Sequence, residues 1–278
     1  MEPWKQALAE ALRRTTYEVL PMRRTEDEVL AHVPEDVGLT VTTTQARGLE
    51  ATVELAVRLA KNGYRAVPHL AARLVRDRAE LADIAARLDE SGVDGAFVIG
   101  GDAAEPAGEF PDALSLLLAL QEEGRPFRIG IAGYPEGHGV LADEVIRRAL
   151  RDKAPHADEV LTQLCFDPAT TVRWARGVRA EGVRTPIRVG LPGPVDRQKL
   201  VRISAGLGLG RSARFLRKQP GLLRRFFRPG GFDPDRLARG LAQELAGPDP
   251  AIAGFHVFTF NDLASTERWR RRWLDRVG

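Results

Sequence analysis

The sequence predicts an α/β fold in which the whole chain, residues 1–278, forms one (β/α)8 or TIM barrel. Short runs rich in β-forming residues alternate eight times with longer amphipathic stretches, which is the pattern of βα units and a parallel sheet. Eight strands favour a closed barrel over an open doubly wound sheet, and the chain length fits one such barrel.

The predicted strands are short and regularly spaced along the chain. They cover residues 16–20, 37–42, 66–69, 95–99, 128–132, 159–164, 187–189 and 254–258. The helices predicted between them are 48–62, 78–91, 112–123, 141–151, 168–181 and 233–246. Four of these helices end at a glycine, where a left-handed residue can stop a helix before the next strand. The four glycines are Gly63, Gly92, Gly124 and Gly182.

The stretch between the seventh and eighth strands, about residues 194–247, is too long for one helix. We expect two or three extra helices there, on one side of the barrel mouth. This stretch contains a cluster of seven basic residues within 18 positions that include no acidic residue: Arg211, Arg214, Arg217, Lys218, Arg224, Arg225 and Arg228. Such a cluster suits a small anionic ligand. We expect no nucleic acid partner, because too few aromatic residues are interleaved for base stacking.

Composition limits the classes of protein that fit. Lys and Arg total 41 against 38 Asp and Glu, a net charge of +3. No apolar run reaches the about 20 residues that cross a bilayer, and the first residues lack the core of a signal peptide, so we expect a cytoplasmic protein without membrane partners. The single cysteine, Cys165, excludes an internal disulfide, and the five histidines lack metal-ligand spacing, so no metal is expected. The oligomeric state stays open.

Polar residues collect where the predicted strands end, which is the functional end of such a barrel. Glu18 lies within the first strand, His69 ends the third and Gln163 lies in the sixth. Further polar residues directly follow other strands: Thr43, Asp102, Tyr134, Glu136, His138 and Thr259. Together they predict a pocket that hydrogen-bonds a flat heteroaromatic ring and transfers protons.

Each of these residues also has a structural interpretation. Glu18 could pair with an arginine, because a carboxylate inside a strand otherwise carries a desolvation cost. His69 could be a hydrogen-bonded core histidine, and Asp102 could cap the next helix. Tyr134 and His138 could simply pack in a loop. Both interpretations stay open for each residue.

The order of the motifs resembles the methylenetetrahydrofolate reductase family from about Thr16 to Asn261. The matching segments are 16–21, 67–70, 101–102, 129–138, 162–167 and 255–261, and 129–138 is the most specific of them. The resemblance implies an oxidoreductase of one-carbon metabolism and methionine biosynthesis. Such an enzyme reduces 5,10-methylenetetrahydrofolate, with or without a polyglutamate tail, to 5-methyltetrahydrofolate by hydride transfer.

The resemblance also implies roles for the residues. Glu18 would be the general acid that opens the cyclic aminal of the substrate, and Asp102 would stabilise the developing positive charge. The residues expected to contact folate are Asp102, Gln163 and Thr259. The residues expected to frame the cofactor site are Thr43, His69, Tyr134, Glu136 and His138.

The expected cofactor follows from two departures from the family pattern. Members that hold FAD carry an arginine before the Gly-Asp turn and an Asp-x-x-Asn-x-x-Arg-Lys pattern on the helix after the fifth strand. Here Gly100 takes the first position, and residues 142–153 lack the asparagine-centred pattern. The sequence therefore resembles a divergent branch that works without bound flavin, with NADH or NADPH as direct hydride donor. An FAD-dependent form of the same reaction and a non-catalytic folate- or nucleotide-binding barrel are the alternatives.

Overall fold

The computed structural model describes residues 2–44, 46–124, 127–138, 140–194 and 234–278. Eight parallel strands form a closed barrel in chain order, and β8 pairs with β1 to close it. The strands are β1 Thr16–Val19, β2 Gly38–Val41, β3 Ala66–Ala71, β4 Gly95–Ile99, β5 Arg128–Gly133, β6 Glu159–Leu164, β7 Ile187–Pro192 and β8 Gly254–Phe258. The predicted TIM barrel is confirmed.

The helices lie outside the barrel. They are α1 Pro3–Arg13, α2 Thr25–His32, α3 Gly48–Lys61, α4 Arg78–Glu90, α5 Ala113–Glu122, α6 Asp143–Lys153, α7 Pro168–Ala180, α8 Pro234–Leu245 and α9 Leu263–Val277, with short 3-10 turns at Ala72–Leu74 and Ala154–His156. Each of the six helices predicted with bounds is present with ends within two residues, whereas the further helices expected in the insertion fall on residues outside those described. The four predicted glycine stops all have positive φ, which confirms them.

Three helices, α1, α2 and α9, were not predicted. Helix α9 carries Trp269 and Trp273, whose indole nitrogens donate to Oδ1 of Asp235 on α8 at 2.8 and 2.6 Å. It also carries Glu267, which accepts a hydrogen bond from the Tyr17 hydroxyl of β1 at 2.9 Å. These contacts anchor α8 and α9 to the barrel beside β1.

Strand β3 is longer than predicted and ends at Ala71, because the apolar residues after His69 continue the strand. His69 therefore lies within β3, and the prediction that it ends the strand was wrong. Strand β7 likewise extends to Pro192. Helix α8 occupies the last part of the predicted insertion, whereas residues 195–233, including the basic cluster, lie outside the described residues. None of the described helices is both long and apolar enough to span a membrane.

Side chains alternate between the barrel interior and the helical layer. In β1, Tyr17 contacts α9 while Glu18 points inward. At the amino-terminal end of the interior, Arg188 Nε lies 2.9 Å from Glu159 Oε2 and Arg188 Nη1 donates to the Arg14 carbonyl at 2.7 Å. This ion pair joins β6 and β7 at the end of the barrel opposite to the expected active site.

Candidate active site

Glu18 lies in the barrel interior between two histidines. Its Oε2 is 3.8 Å from His69 Nε2 and 3.6 Å from His256 Nε2, and its side chain is 15% exposed. Both distances are longer than a hydrogen bond. No arginine of the described residues lies within ion-pair distance of this carboxylate, which removes the predicted alternative of an arginine partner there.

His69 is buried, and its ring contacts the edge of Phe97 at a centroid distance of 4.6 Å. Its Nε2 has no hydrogen-bond partner among the described residues, so it is not the fully hydrogen-bonded core histidine of the alternative interpretation. Burial lowers the pKa of His69 to about 4, although the nearby Glu18 carboxylate acts in the opposite direction. His69 is therefore neutral near pH 7.

His256 on β8 faces Glu18 but was not among the predicted site residues. Its side chain is 2% exposed, and its Nδ1 lies 2.8 Å from the Thr16 hydroxyl. In the parallel register, Thr16 is opposite His256, so both lie at one depth in the barrel. The sequence feature that could have identified His256 is that it is a polar residue at an inward-facing position of β8, two residues before Phe258.

The chain beyond β8 holds the backbone around Glu18. The Thr259 hydroxyl is fully buried and donates to the Glu18 carbonyl at 2.6 Å. The Asn261 amide accepts from the Leu20 N–H at 2.8 Å and donates to the Leu20 carbonyl at 3.1 Å. Thr259 therefore positions the strand that carries Glu18, and its contact with folate stays a prediction.

Asp102 lies in an exposed loop after β4. The preceding Gly101 has φ of 88°, and a Cβ there would lie 3.1 Å from the Ala71 side chain, so a larger residue would be strained and crowded. Helix α5 is capped by Asp112, which accepts from the Ser115 N–H at 2.9 Å. The alternative in which Asp102 caps the next helix is therefore excluded.

Arg73 holds the loop that carries Asp102. Its guanidinium donates to the carbonyls of Ala103 at 2.7 Å, Pro111 at 2.9 Å and Ala104. Three hydrogen bonds from one planar group fix both ends of this loop. Sequence analysis did not identify Arg73, because nothing in the pattern indicated which carbonyls it would meet.

Tyr134 and His138 form an aromatic pair after β5, with ring centroids 4.9 Å apart. Burial, with a smaller contribution from the Asp102 carboxylate, raises the pKa of Tyr134 to about 12, whereas burial lowers the pKa of His138 against the opposing effect of Asp102. His138 Nδ1 accepts from the N–H groups of Val140 and Leu141 at 3.2 and 3.1 Å. The neutral ring therefore carries its proton on Nε2.

Two other predicted residues bond to the chain's own backbone. The Thr43 hydroxyl donates to the carbonyl of His69, which joins β2 to β3. Glu136 Oε1 accepts from the N–H groups of Phe166 and Asp167 at 2.6 and 2.8 Å, which fixes the turn before α7. Their expected contacts with a cofactor stay predictions.

Gln163 is half-buried near the end of β6, and its Oε1 accepts from the adjacent Leu164 N–H at 2.9 Å. This contact leaves the Nε2 amide as the end that can donate to a ligand. The neighbouring Cys165 is buried, and burial raises the pKa of its thiol to about 12, so the thiol stays protonated.

The structure thus arranges five of the predicted residues, together with His256, into an inner and an outer group. The inner group is Glu18, His69 and His256, and the outer group is Asp102, Tyr134 and His138. The inner group can hold and release a proton, and the outer group offers a carboxylate beside aromatic rings. No three His, Cys, Asp or Glu side chains among the described residues are arranged to hold a metal ion.

A closed parallel barrel with such groups on the carboxyl side of its strands defines the class of (β/α)8-barrel proteins with a polar active-site mouth. A solved structure titled "QR15, an Aldolase" has the same fold, with a TM-score of 0.51, 11% identity, and coverage of 96% of this chain and 98% of that one. At this identity the likeness concerns the fold alone.

The methylenetetrahydrofolate reductase family matches residues 21–204, and the chain belongs to this family. Methylenetetrahydrofolate reductase 1 of Schizosaccharomyces pombe is 37% identical over 67 residues, which are 23% of this chain and 11% of that protein. Methylenetetrahydrofolate reductase 2 of Saccharomyces cerevisiae is 33% identical over 89 residues, 30% of this chain and 15% of that protein. The matched parts are thus a small fraction of either yeast protein. The family match includes Asp102 and Gln163, whereas Glu18 and His256 lie outside it.

Proposed function

We propose that the protein is a methylenetetrahydrofolate reductase that reduces 5,10-methylenetetrahydrofolate to 5-methyltetrahydrofolate, with hydride taken directly from NADH or NADPH. Family membership supports the reaction class. The observation that carries the proposal is the inward carboxyl group of Glu18, which faces two histidines and no described cation.

Glu18 suits the role of general acid. The substrate is a cyclic aminal, and protonation of one ring nitrogen lets the ring open to an iminium ion that can accept hydride. Glu18 has only imidazoles within ion-pair distance in the described part of the chain, so no guanidinium or ammonium group there occupies its carboxyl oxygens. The proton leaves a Glu18 oxygen for the folate nitrogen, and Glu18 becomes a carboxylate.

Asp102 and Gln163 suit the binding of the ring system. The Asp102 carboxylate lies on the exposed loop whose conformation Arg73 fixes, where it can stabilise the positive charge of the iminium ion. The Nε2 group of Gln163 can donate to an acceptor on the pterin edge. We assign the recognition of folate to these two residues.

Direct hydride transfer agrees better with the side chains present than an FAD site does. Of the residues expected to frame the cofactor site, His69 is buried beside Glu18, and His138 Nδ1 is occupied by two backbone N–H groups. Gly100 stands where flavin-binding members carry an arginine. These residues fit a bound flavin poorly. The nicotinamide supplies the hydride when it binds.

An absorption spectrum of the freshly purified protein, followed by addition of NADH and methylenetetrahydrofolate, tests the proposal. We expect no flavin bands and consumption of NADH that depends on the folate. A yellow protein that reduces the folate would support the FAD-dependent form of the reaction. Binding of folate without turnover with either nicotinamide, even after addition of FAD, would contradict reductase function and favour a binding barrel.

A further inference from the structure

We infer that His256, oriented by Thr16, is a positioning residue that stabilises Glu18 in its carboxylate form after proton donation. The inference rests on the proposed function and deepens it, because it assigns a partner to the proton donor. Its basis is the chain of contacts from the Thr16 hydroxyl to His256 Nδ1, at 2.8 Å, and from His256 Nε2 to Glu18 Oε2, at 3.6 Å.

The direction of the first hydrogen bond sets the tautomer of His256. The Thr16 side chain is buried, and His256 Nδ1 is the hydrogen-bond partner of its hydroxyl. A buried hydroxyl hydrogen without an acceptor is costlier than an unused lone pair, so Thr16 donates and Nδ1 accepts. Neutral His256 then carries its proton on Nε2, and this N–H is directed towards Glu18.

His256 and His69 differ although both face the same oxygen atom. His69 Nε2 has no partner among the described residues and lies 3.8 Å from Glu18 Oε2, and nothing described fixes its tautomer. The other side chain at this level is Thr40 of β2, opposite Glu18 in the register, whose hydroxyl also has no described partner. Of the groups that face Glu18 from β2, β3 and β8, only His256 has an N–H oriented by a further contact.

This N–H matters because proton donation creates a negative charge inside the barrel. A buried carboxylate without a cation needs hydrogen-bond donors to offset its lost hydration. A small side-chain rotation can shorten the 3.6 Å distance to a hydrogen bond when the charge appears. No proton leaves His256: the proton passes from Glu18 to the folate, and the imidazole only donates a hydrogen bond to the carboxylate that remains.

The test is an NMR titration of the Glu18 carboxyl carbon in the ligand-free protein, which needs no enzymatic activity. In His256→Phe, which keeps a ring but has no N–H, we expect the titration midpoint to move upward by about one pH unit. Thr16→Val should move the Glu18 midpoint in the same direction by a smaller amount, and Thr16→Ser should keep the wild-type midpoint. The matched control is Thr15→Val, because the Thr15 hydroxyl donates to the Phe255 carbonyl of the same strand β8 instead.

The outcomes separate this inference from the proposed function. An unchanged or lowered midpoint in His256→Phe would overturn the inference, and so would equal behaviour of Thr16→Val and Thr15→Val. If His256→Phe does not fold, the Thr16 variants decide alone. In the reductase assay, His256→Phe should lower kcat about tenfold and move the alkaline limb of its pH profile upward. A wild-type protein without reductase activity would contradict the proposed function, while the titration would still decide the role of His256.

Discussion

The two ends of the barrel interior use charge differently. At the amino-terminal end, Glu159 and Arg188 form a direct ion pair at 2.9 Å, and Arg188 also bonds to the Arg14 carbonyl. On the carboxyl side, Glu18 faces two imidazoles at 3.6 and 3.8 Å and no described cation. The first carboxylate holds two strands together, whereas the second is the group that we propose as the general acid. This difference supports the proposed reaction site at the carboxyl end of the barrel.

The backbone beyond β8 is held in an unusual conformation. Positive φ occurs at glycines on both sides of the barrel, such as Gly63 and Gly182 before strands and Gly101 after β4, because a side chain would be strained there. Beyond β8, Phe260 and Asn261 adopt φ values of 50° and 52° without being glycine. Such conformations cost on the order of 1 kcal/mol or more each, and they persist where surrounding contacts impose them. Here Asn261 bonds to Leu20, next to the strand that carries Glu18.

Glu18→Gln tests the carboxyl side and should have the largest effect. The substitution keeps the shape of the side chain but removes the proton donor, so kcat should fall by about 10²-fold or more. Unfolding by urea and binding of NADH, measured beside it, should change little. Turnover equal to the wild type would show that Glu18 is not the general acid.

Arg188→Met tests the opposite end of the barrel. It leaves Glu159 without its cation in a partly buried position, and the free energy of unfolding should fall by about 1–3 kcal/mol. Because the pair is remote from the mouth, kcat/KM measured well below the unfolding temperature should stay within about twofold. A large loss of kcat/KM in folded protein would contradict the division between the two ends.

Asp102→Asn sharpens the comparison within the mouth itself. The substitution removes the negative charge of the side chain while Arg73 still holds the loop. We expect kcat/KM to fall about tenfold, partly through a lower kcat and partly through weaker folate binding. Steady-state kinetics together with a folate binding titration measure the two parts. If both remain at wild-type values, Asp102 has no role in the reaction.

Reversal of charge in the basic cluster should have the smallest effect. The cluster follows β7 in the sequence, and both expected ligands are anions, so reversal of Arg214, Arg217 and Lys218 to Glu should raise KM for NADH or polyglutamyl folate about threefold. The change should shrink as salt is added, because exposed charges are screened. Constants that are unchanged at low ionic strength would remove the cluster from ligand binding.

The sequence predicted the barrel well because hydrophobic period and glycine stops are local signals. Helix α1 was not predicted, since it lies before the first βα unit, where the alternation gives no expectation. Helix α9 is the helix of the eighth βα unit, and it was missed because its many charged residues weaken its apolar pattern. Helix α2 is short and only two of its residues, Thr25 and Val29, are buried, so its apolar pattern is weak. The end of β3 was misplaced because a polar residue, His69, was taken as the end of the strand.

The residue types of the candidate site could be predicted from the sequence, but most of the contacts that these residues make could not. The inward position of Glu18 follows from its place within the first strand, and the loop position of Asp102 follows from its place directly after the fourth. The partnership of Glu18 with His256 depends on the closure of β8 onto β1, two segments about 240 residues apart, which no local pattern encodes. Similarly, the bonds that occupy Glu136 and Thr43 depend on neighbouring strands and loops.

Direct hydride transfer onto a folate whose ring Glu18 opens is the central claim, and an isotope experiment tests it. NADH deuterated at both C4 positions would be supplied with methylenetetrahydrofolate in ordinary water, and the methyl group of the product analysed by mass spectrometry. We predict one deuterium per methyl group in the wild-type protein and negligible labelled product with Glu18→Gln. Product whose methyl group carries hydrogen from water in place of the label would contradict direct transfer, because it requires an exchangeable intermediate carrier such as a flavin.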